Sequence, residues 1–196
     1  MSDAKYWDDF YSTNTGTFEW LLSYKDIKNN LEHLFESKNK LLTFLDLGCG
    51  SSNLLSDILQ TLPYAHGVFF DISHGSLIAQ QSNNNVRKES NSCHYVQGSV
   101  LHLPFQENTF DFVIDKGTMD SLLKAKDNGK VSSRVMLQQV HSVLRPGGLC
   151  LQISDEDPEI RMDLIINNWE HGAVNFKEIS VNQREIFLYL LHKRPC

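Results

Sequence analysis

Leu41-Leu42-Thr43-Phe44-Leu45-Asp46-Leu47-Gly48-Cys49-Gly50 is the stretch on which the reading of the fold turns. Its nearly unbroken apolar run is far too short to cross a bilayer and has the character of a strand buried on both faces of a parallel sheet. The two glycines that end it allow a tight turn into a helix and a close approach of a ligand to the backbone. Beyond them Leu54, Leu55, Ile58, Leu59 and Leu62 fall at helical spacing, and Pro63 closes the helix.

The same alternation continues outward. Gly67 to Ile72 reads as a second strand, followed by a short helix near Ser76 to Gln81 and a polar, Asn-rich turn. A third strand is expected at His94 to Gln97 and a fourth at Phe110 to Asp115. Val135, Met136, Val140, Val143 and Leu144 mark the next helix, and Pro146-Gly147-Gly148 turns into a fifth strand, Leu149 to Ser154. Asp157 followed by Pro158 is an N-cap followed by a first-turn proline, opening a helix to about Trp169. Two last strands, Phe176 to Val181 and Glu185 to Leu191, are joined by a hairpin-length link, which makes the final strand antiparallel. Ahead of the first strand, Ile27, Leu31, Leu34 and Phe35 outline an amphipathic helix preceded by an aromatic-rich arm. The expectation is α/β: a doubly wound, mostly parallel seven-stranded sheet with an antiparallel C-terminal strand.

The 196 residues suit one domain, residues 1–196, with 1–23 as the arm and 24–196 as the α/β core. Hydrophobic residues make up 41% and charged residues 21%, a globular balance with no apolar run of membrane length. A net charge of −6 argues against a phosphate-tracking nucleic-acid binder. Cys49, Cys93, Cys150 and Cys196 form no Cys-x-x-Cys pair, which fits reduced thiols, and the histidines show no metal-ligand spacing, so no metal is expected. The N-terminus is too acidic and polar for a secretory signal or an Arg-rich transit peptide.

In an open parallel sheet, ligands bind beyond the carboxyl ends of the strands, where the strand order reverses. Those ends carry Asp46, Gly48, Gly50, Asp71, Ser99, Asp115 and Ser154 through Asp157. A Gly-x-Gly alone can serve packing. A dinucleotide site would place a pyrophosphate at the helix N-terminus and a small residue third; here Asn53 takes that place, and Asp46 would repel a phosphate. A carboxylate there suits the ammonium and sulfonium of S-adenosylmethionine, with Asp71 placed to accept from ribose hydroxyls.

Taken together, the Asp46-to-Gly50 turn, Asp71, Leu144-Arg145-Pro146-Gly147-Gly148 and the closing hairpin resemble class I, seven-strand S-adenosylmethionine-dependent methyltransferases. Tyr6-Trp7-x-x-x-Tyr11, Phe18-Glu19-Trp20 and Asp115-Lys116-Gly117-Thr118-x-Asp120 resemble the protein-lysine methyltransferases that act on elongation factor 1A and on mitochondrial citrate synthase. Ser154-Asp155-Glu156-Asp157-Pro158 with Arg161 is most similar to the citrate synthase group. The resemblance implies that Trp7, Tyr11 and Trp20 cover the cofactor, with Asp46, Gly48, Gly50, Asp71, Ile72, Ser99, Val100, Asp115 and Lys116 completing its site. Aromatic faces attract a sulfonium cation; the alternative is that the arm only pins a surface helix. Relatives often carry Asp where Ser99 stands.

Methyl transfer to an amine needs placement, water exclusion and a neutral nucleophile. Asp115 is expected nearest the transferred methyl group, and Asp155 and Glu156 are expected to form an acidic rim that orients the substrate lysine. Asp120 is either a second such carboxylate or a surface or capping group, Asp157 a helix cap, Lys116 a cofactor-lining group or a local ion-pair partner, and Cys49 a packing residue. Lys124, Lys126, Lys130 and Arg134 form a basic stretch that could dock an acidic protein. The resemblance implies a protein substrate, citrate synthase first and elongation factor 1A second, with small-molecule methylation or a non-catalytic binding module as alternatives. A monomer acting on neither nucleic acid nor membrane is expected, in the mitochondrial matrix if a presequence precedes this chain and in the cytoplasm otherwise.

Overall fold

The decisive apolar run forms strand β1 (Leu42–Leu47) at the centre of a seven-stranded sheet. A computed structural model describes residues 4–14, 16–35, 40–83, 91–125, 128–169 and 172–195. Strands β2 (Ala65–Asp71) and β4 (Phe110–Lys116) flank β1, and β3 (Ser92–Gln97) lies outside β2. On the other wing come β5 (Leu144–Ser154), β7 (Arg184–Lys193) and β6 (Gly172–Val181), giving the order β3-β2-β1-β4-β5-β7-β6. All pairs among β1 to β5 are parallel, while β7 runs antiparallel to both β5 and β6. The order reverses between β1 and β4, so a crevice opens beyond their carboxyl ends.

Successive side chains of a strand face opposite ways, and each face of the sheet has its own core. Phe44, Phe69, Ile114 and Ile153 pack with helices α2 (Tyr24–Leu31) and α3 (Leu54–Thr61). Leu45, Leu47 and Val113 pack with α5 (Thr118–Leu123), α6 (Gly129–Val143) and α7 (Pro158–Ile166). Burial on both faces is why β1 reads as a continuous apolar run. Asp46, sharing a face with Phe44 but lying at the strand's end, is buried at 3% exposure yet reaches the crevice.

Several boundaries differ from the sequence expectation. The arm contains a helix, α1 (Ala4–Thr13), which packs on α4 (His74–Asn83) and brings Trp7, Phe10 and Tyr11 to one side. A short helix, α5, follows β4 directly because Gly117 takes φ +81° and frees the chain from the strand. Arg145-Pro146-Gly147-Gly148 is an excursion within β5 and not a turn ahead of it: Leu144 pairs with Phe110, and the register resumes with Leu149 opposite Phe112. Strand β6 starts at Gly172, earlier than its apolar pattern suggests, because it is a largely exposed edge strand whose pairing with β7 defines it. The polar turn from residue 84 to 90 and Lys126 lie outside the described residues.

Candidate active site

Beyond the carboxyl ends of β1, β2 and β4 lies a cavity of about 230 Å³. Its floor is the β1–α3 turn, where Gly48 and Gly50 adopt φ +63° and +53°. Neither position tolerates a side chain: a Cβ on Gly48 would strike the Thr118 hydroxyl, and one on Gly50 the Tyr11 hydroxyl. These glycines therefore let two other elements, α5 and α1, close over the turn.

Asp46 and Asp71 supply the buried charge. Asp71 is already engaged, one oxygen accepting from the Gly50 N–H at 2.9 Å and the other from the Ser73 N–H at 2.8 Å. Burial nonetheless lifts its pKa above the ordinary carboxylate value, opposed by those hydrogen bonds. Asp46 is different. Its carboxylate makes no hydrogen bond among the described residues, and burial raises its pKa to about 7, with the Lys116 ammonium opposing and Asp71, Glu19 and Asp115 adding to the rise. A buried carboxylate without a donor, facing a cavity, is an acceptor for a cation or hydrogen-bond donor arriving from outside.

The arm roofs the cavity and is stitched to it. Asp8 accepts from the Ser73 hydroxyl at 2.6 Å. The Phe18 N–H donates to Ser51 Oγ at 3.0 Å, and Ser51 donates to the Gly16 carbonyl at 3.1 Å. Glu19 does most: one oxygen accepts from the Asn53 N–H at 2.8 Å, ahead of α3, and the other from Ser52 Oγ at 2.8 Å and Lys116 Nζ at 2.6 Å. A carboxylate at a helix N-terminus satisfies a free N–H and matches the helix dipole. Trp7 stacks on Tyr11 with centroids 6.2 Å apart, and Phe18 lies between Phe10 and Trp20 at 5.6 and 5.8 Å. Trp20 lies against Gly117, where a Cβ would overlap its ring.

Of the residues expected around the cofactor, Trp7, Tyr11, Trp20, Asp46, Gly48, Gly50, Asp71, Ile72, Ser99, Val100 and Lys116 all line this one cavity. Asp115 does not. It is buried at 1% exposure with one oxygen accepting from the Thr118 and Met119 N–H groups, at 2.9 and 3.3 Å, and the other from Gln152 Nε2 at 2.9 Å. It holds the start of α5, and burial, together with the nearby Asp120 charge, raises its pKa to about 7. Asp155 and Glu156 also stay outside the cavity lining; Asp155 is exposed and Glu156 half-buried just past β5. Lys116 pairs not within its own loop but with Glu19 of the arm, and also donates to the Leu22 carbonyl at 3.2 Å. Asp157 caps α7, accepting from the Glu159 N–H at 2.7 Å. Asp120 is neither on the surface nor a cap: it is buried against Arg161 and accepts from the Ser154 hydroxyl at 2.8 Å. Lys124, expected only in a basic stretch docking an acidic protein, also lines the cavity, as do Tyr6 and Phe18, which had carried only the resemblance, and Phe10, which had no assignment. Also unassigned in the sequence were the cavity-facing Thr118, Ser121 and Leu122 of α5. Their signal was the Asp115-Lys116-Gly117-Thr118 string itself, in which glycine after a strand ending in charge forces a new element.

A family model described as a methyltransferase domain matches residues 38–190. The chain is 32% identical over 179 residues to the mitochondrial citrate synthase-lysine N-methyltransferase of Danio rerio, spanning 83% of this chain and 70% of that protein. It is 34% identical over 158 residues to the eEF1A lysine and N-terminal methyltransferase of Mus musculus, covering 79% of this chain but 22% of that longer protein. Among solved structures, the N-methyltransferase NodS of Bradyrhizobium japonicum WM9, in complex with S-adenosyl-L-homocysteine, superimposes with a TM-score of 0.69 over 95% of this chain and 98% of that one, at 14% identity.

Proposed function

Because this chain belongs to the methyltransferase-domain family, we propose that it is a protein-lysine N-methyltransferase that uses S-adenosylmethionine, with citrate synthase as its acceptor. One observation carries the cofactor side: Asp46, a buried carboxylate with no hydrogen bond among the described residues, faces a cavity roofed by Trp7, Tyr11 and Trp20. A free buried carboxylate beneath an aromatic roof, with the Lys116 ammonium already taken up by Glu19, fits a compact organic cation. The lysine acceptor is supported by the names of the relatives, two groups of lysine methyltransferases.

When bound, S-adenosylmethionine would supply a methyl group activated by its sulfonium for in-line transfer to an acceptor amine, with the neutral thioether as leaving group. The residues of this chain hold and shield. Asp46 balances positive charge, the free acceptor capacity of Asp71 is available to hydroxyls, and the aromatic arm excludes water. Asp115 acts at one remove by fixing α5, whose Thr118 in turn donates to the Leu47 carbonyl at 2.8 Å and closes the turn. Asp155 and Glu156, past the end of β5, supply negative charge that draws in the acceptor's ammonium before it sheds its proton. An amine entering this desolvated, cation-bearing site is favoured as the neutral nucleophile.

The test is methyl transfer from labelled S-adenosylmethionine to purified citrate synthase and elongation factor 1A in parallel, with Asp71→Ala as control. Label on citrate synthase, lost in the variant, supports the reading and a matrix location. Label on the elongation factor alone moves the acceptor and the compartment to the cytoplasm, and label on neither refutes the assignment.

A further inference from the structure

Two lysines among the described residues line the cavity, and they are held in opposite ways. Lys116 is buried, and its ammonium is fixed by the Glu19 carboxylate and the Leu22 carbonyl. Held by these two acceptors beneath the surface, its Nζ is not free to swing towards a methyl donor, so Lys116 is no acceptor. Lys124 is exposed at the mouth, at the C-terminal end of α5. Its Nζ lies 5.8 Å from the centroid of the Trp20 ring, and among the described residues it forms no ion pair. Trp20 itself rests on Gly117 at the other end of α5, so ring and lysine are anchored to the helix that forms one wall of the cavity.

A lysine tethered at the mouth of a lysine-methylating site competes with any external acceptor at the high effective concentration of an intramolecular group. We propose that Lys124 is a substrate of its own chain: the enzyme methylates itself, in cis, on Lys124 Nζ. This rests on the lysine-methyltransferase reading above. The ammonium first gives one proton to water. The Nζ lone pair then forms the N–C bond while the C–S bond breaks, its electron pair staying on sulfur. The products are N-methylated, still cationic Lys124 and neutral S-adenosylhomocysteine. Because methylation keeps the charge and enlarges the apolar surface of the cation, the modified side chain has greater affinity for the Trp20 face, and the mouth becomes more closed to protein acceptors.

The experiment incubates the full chain with methyl-labelled S-adenosylmethionine and no acceptor, maps the label by peptide mass spectrometry, and measures cofactor binding by calorimetry on the same samples. The expected result is label on Lys124, a half-time independent of enzyme concentration, a rate that rises with pH, and loss of the label in K124R, whose cofactor binding shows that it has folded. An unlabelled chain that binds cofactor, label on other lysines alone, or a half-time that shortens with enzyme concentration would overturn the inference. A parallel incubation with citrate synthase and elongation factor 1A separates the two readings. Label on an acceptor with none on Lys124 ends self-methylation alone, whereas label on Lys124 with none on either acceptor leaves self-methylation standing and removes those substrates.

Discussion

Replacing Asp46 by Asn should make the free protein more stable and its hold on the cofactor weaker. Burial moves the Asp46 pKa from an ordinary 3.8 to about 7. A shift of roughly three pH units corresponds to about 4 kcal/mol of destabilisation of the folded, ionised form. The sign follows from the direction: a raised acid binds its proton more tightly when folded. The penalty is therefore absent below the unfolded value, grows as pH rises from 3.8 towards 7, and is complete above that. An Asn amide at the same place still loses water without a partner, about 2 kcal/mol, which leaves a net gain of about 2 kcal/mol above neutrality. For a chain of this length that raises Tm by roughly 6 °C, and the gain should shrink as the solution is acidified. Cofactor binding should move the other way. Removing one partner of a buried charge pair costs about 3 kcal/mol, or roughly a hundredfold in Kd. In the unsubstituted chain, binding below about pH 7 must also expel the Asp46 proton, so Kd should rise nearly tenfold per unit of acidification, a slope that the variant lacks. Thermal melts without ligand and calorimetric titrations with S-adenosylmethionine across this pH range measure both. An Asp46→Asn variant that melts below the parent above neutral pH, or that keeps the same binding slope, would overturn this account of Asp46.

Trp20→Ala should weaken S-adenosylmethionine binding by about 0.5–2 kcal/mol, up to some thirtyfold in Kd, with little change in Tm because the ring is 41% exposed; calorimetry and a melt separate the two. Glu19→Gln leaves the buried Lys116 ammonium without its carboxylate and weakens the contact ahead of α3, so urea unfolding should show a loss of about 3 kcal/mol. Adding Lys116→Met should recover part of that loss, and a double variant no more stable than Glu19→Gln would count against the pairing. Arg161→Met strands Asp120 beside Asp115 and should cost about 3–5 kcal/mol. Asp120→Asn in that background should restore stability, most clearly above pH 7, where Asp115 is ionised.

What could be read directly followed from periodicity and turn chemistry. Leu42 to Leu47 is apolar on both sides of the strand because both faces are covered, so its place at the centre of a parallel sheet was visible in the residues. Asp157-Pro158 named its own helix start, since an N-cap and a first-turn proline act locally. Strand β6 was legible only in part, because an exposed edge strand carries little apolar pattern and owes its length to a partner. Helix α5 was not legible, because its short length gives no period; its position comes from Gly117 and from Asp115 accepting from Thr118 and Met119.

The candidate site divides in the same way. Local pattern was enough to set Asp46, Gly48, Gly50 and Asp71 at strand ends facing one crevice, because strand periodicity and glycine's freedom at positive φ belong to the chain segment itself. The jobs of the remaining charges were assigned by packing in three dimensions. Lys116 turned inward to Glu19, Asp120 to Arg161, and Asp115 to the backbone of α5. Asp46 alone among these buried charged residues kept a carboxylate free of ion pairs and hydrogen bonds. A charge takes its role from its partner and from its loss of water, and both are set here by segments far away along the chain.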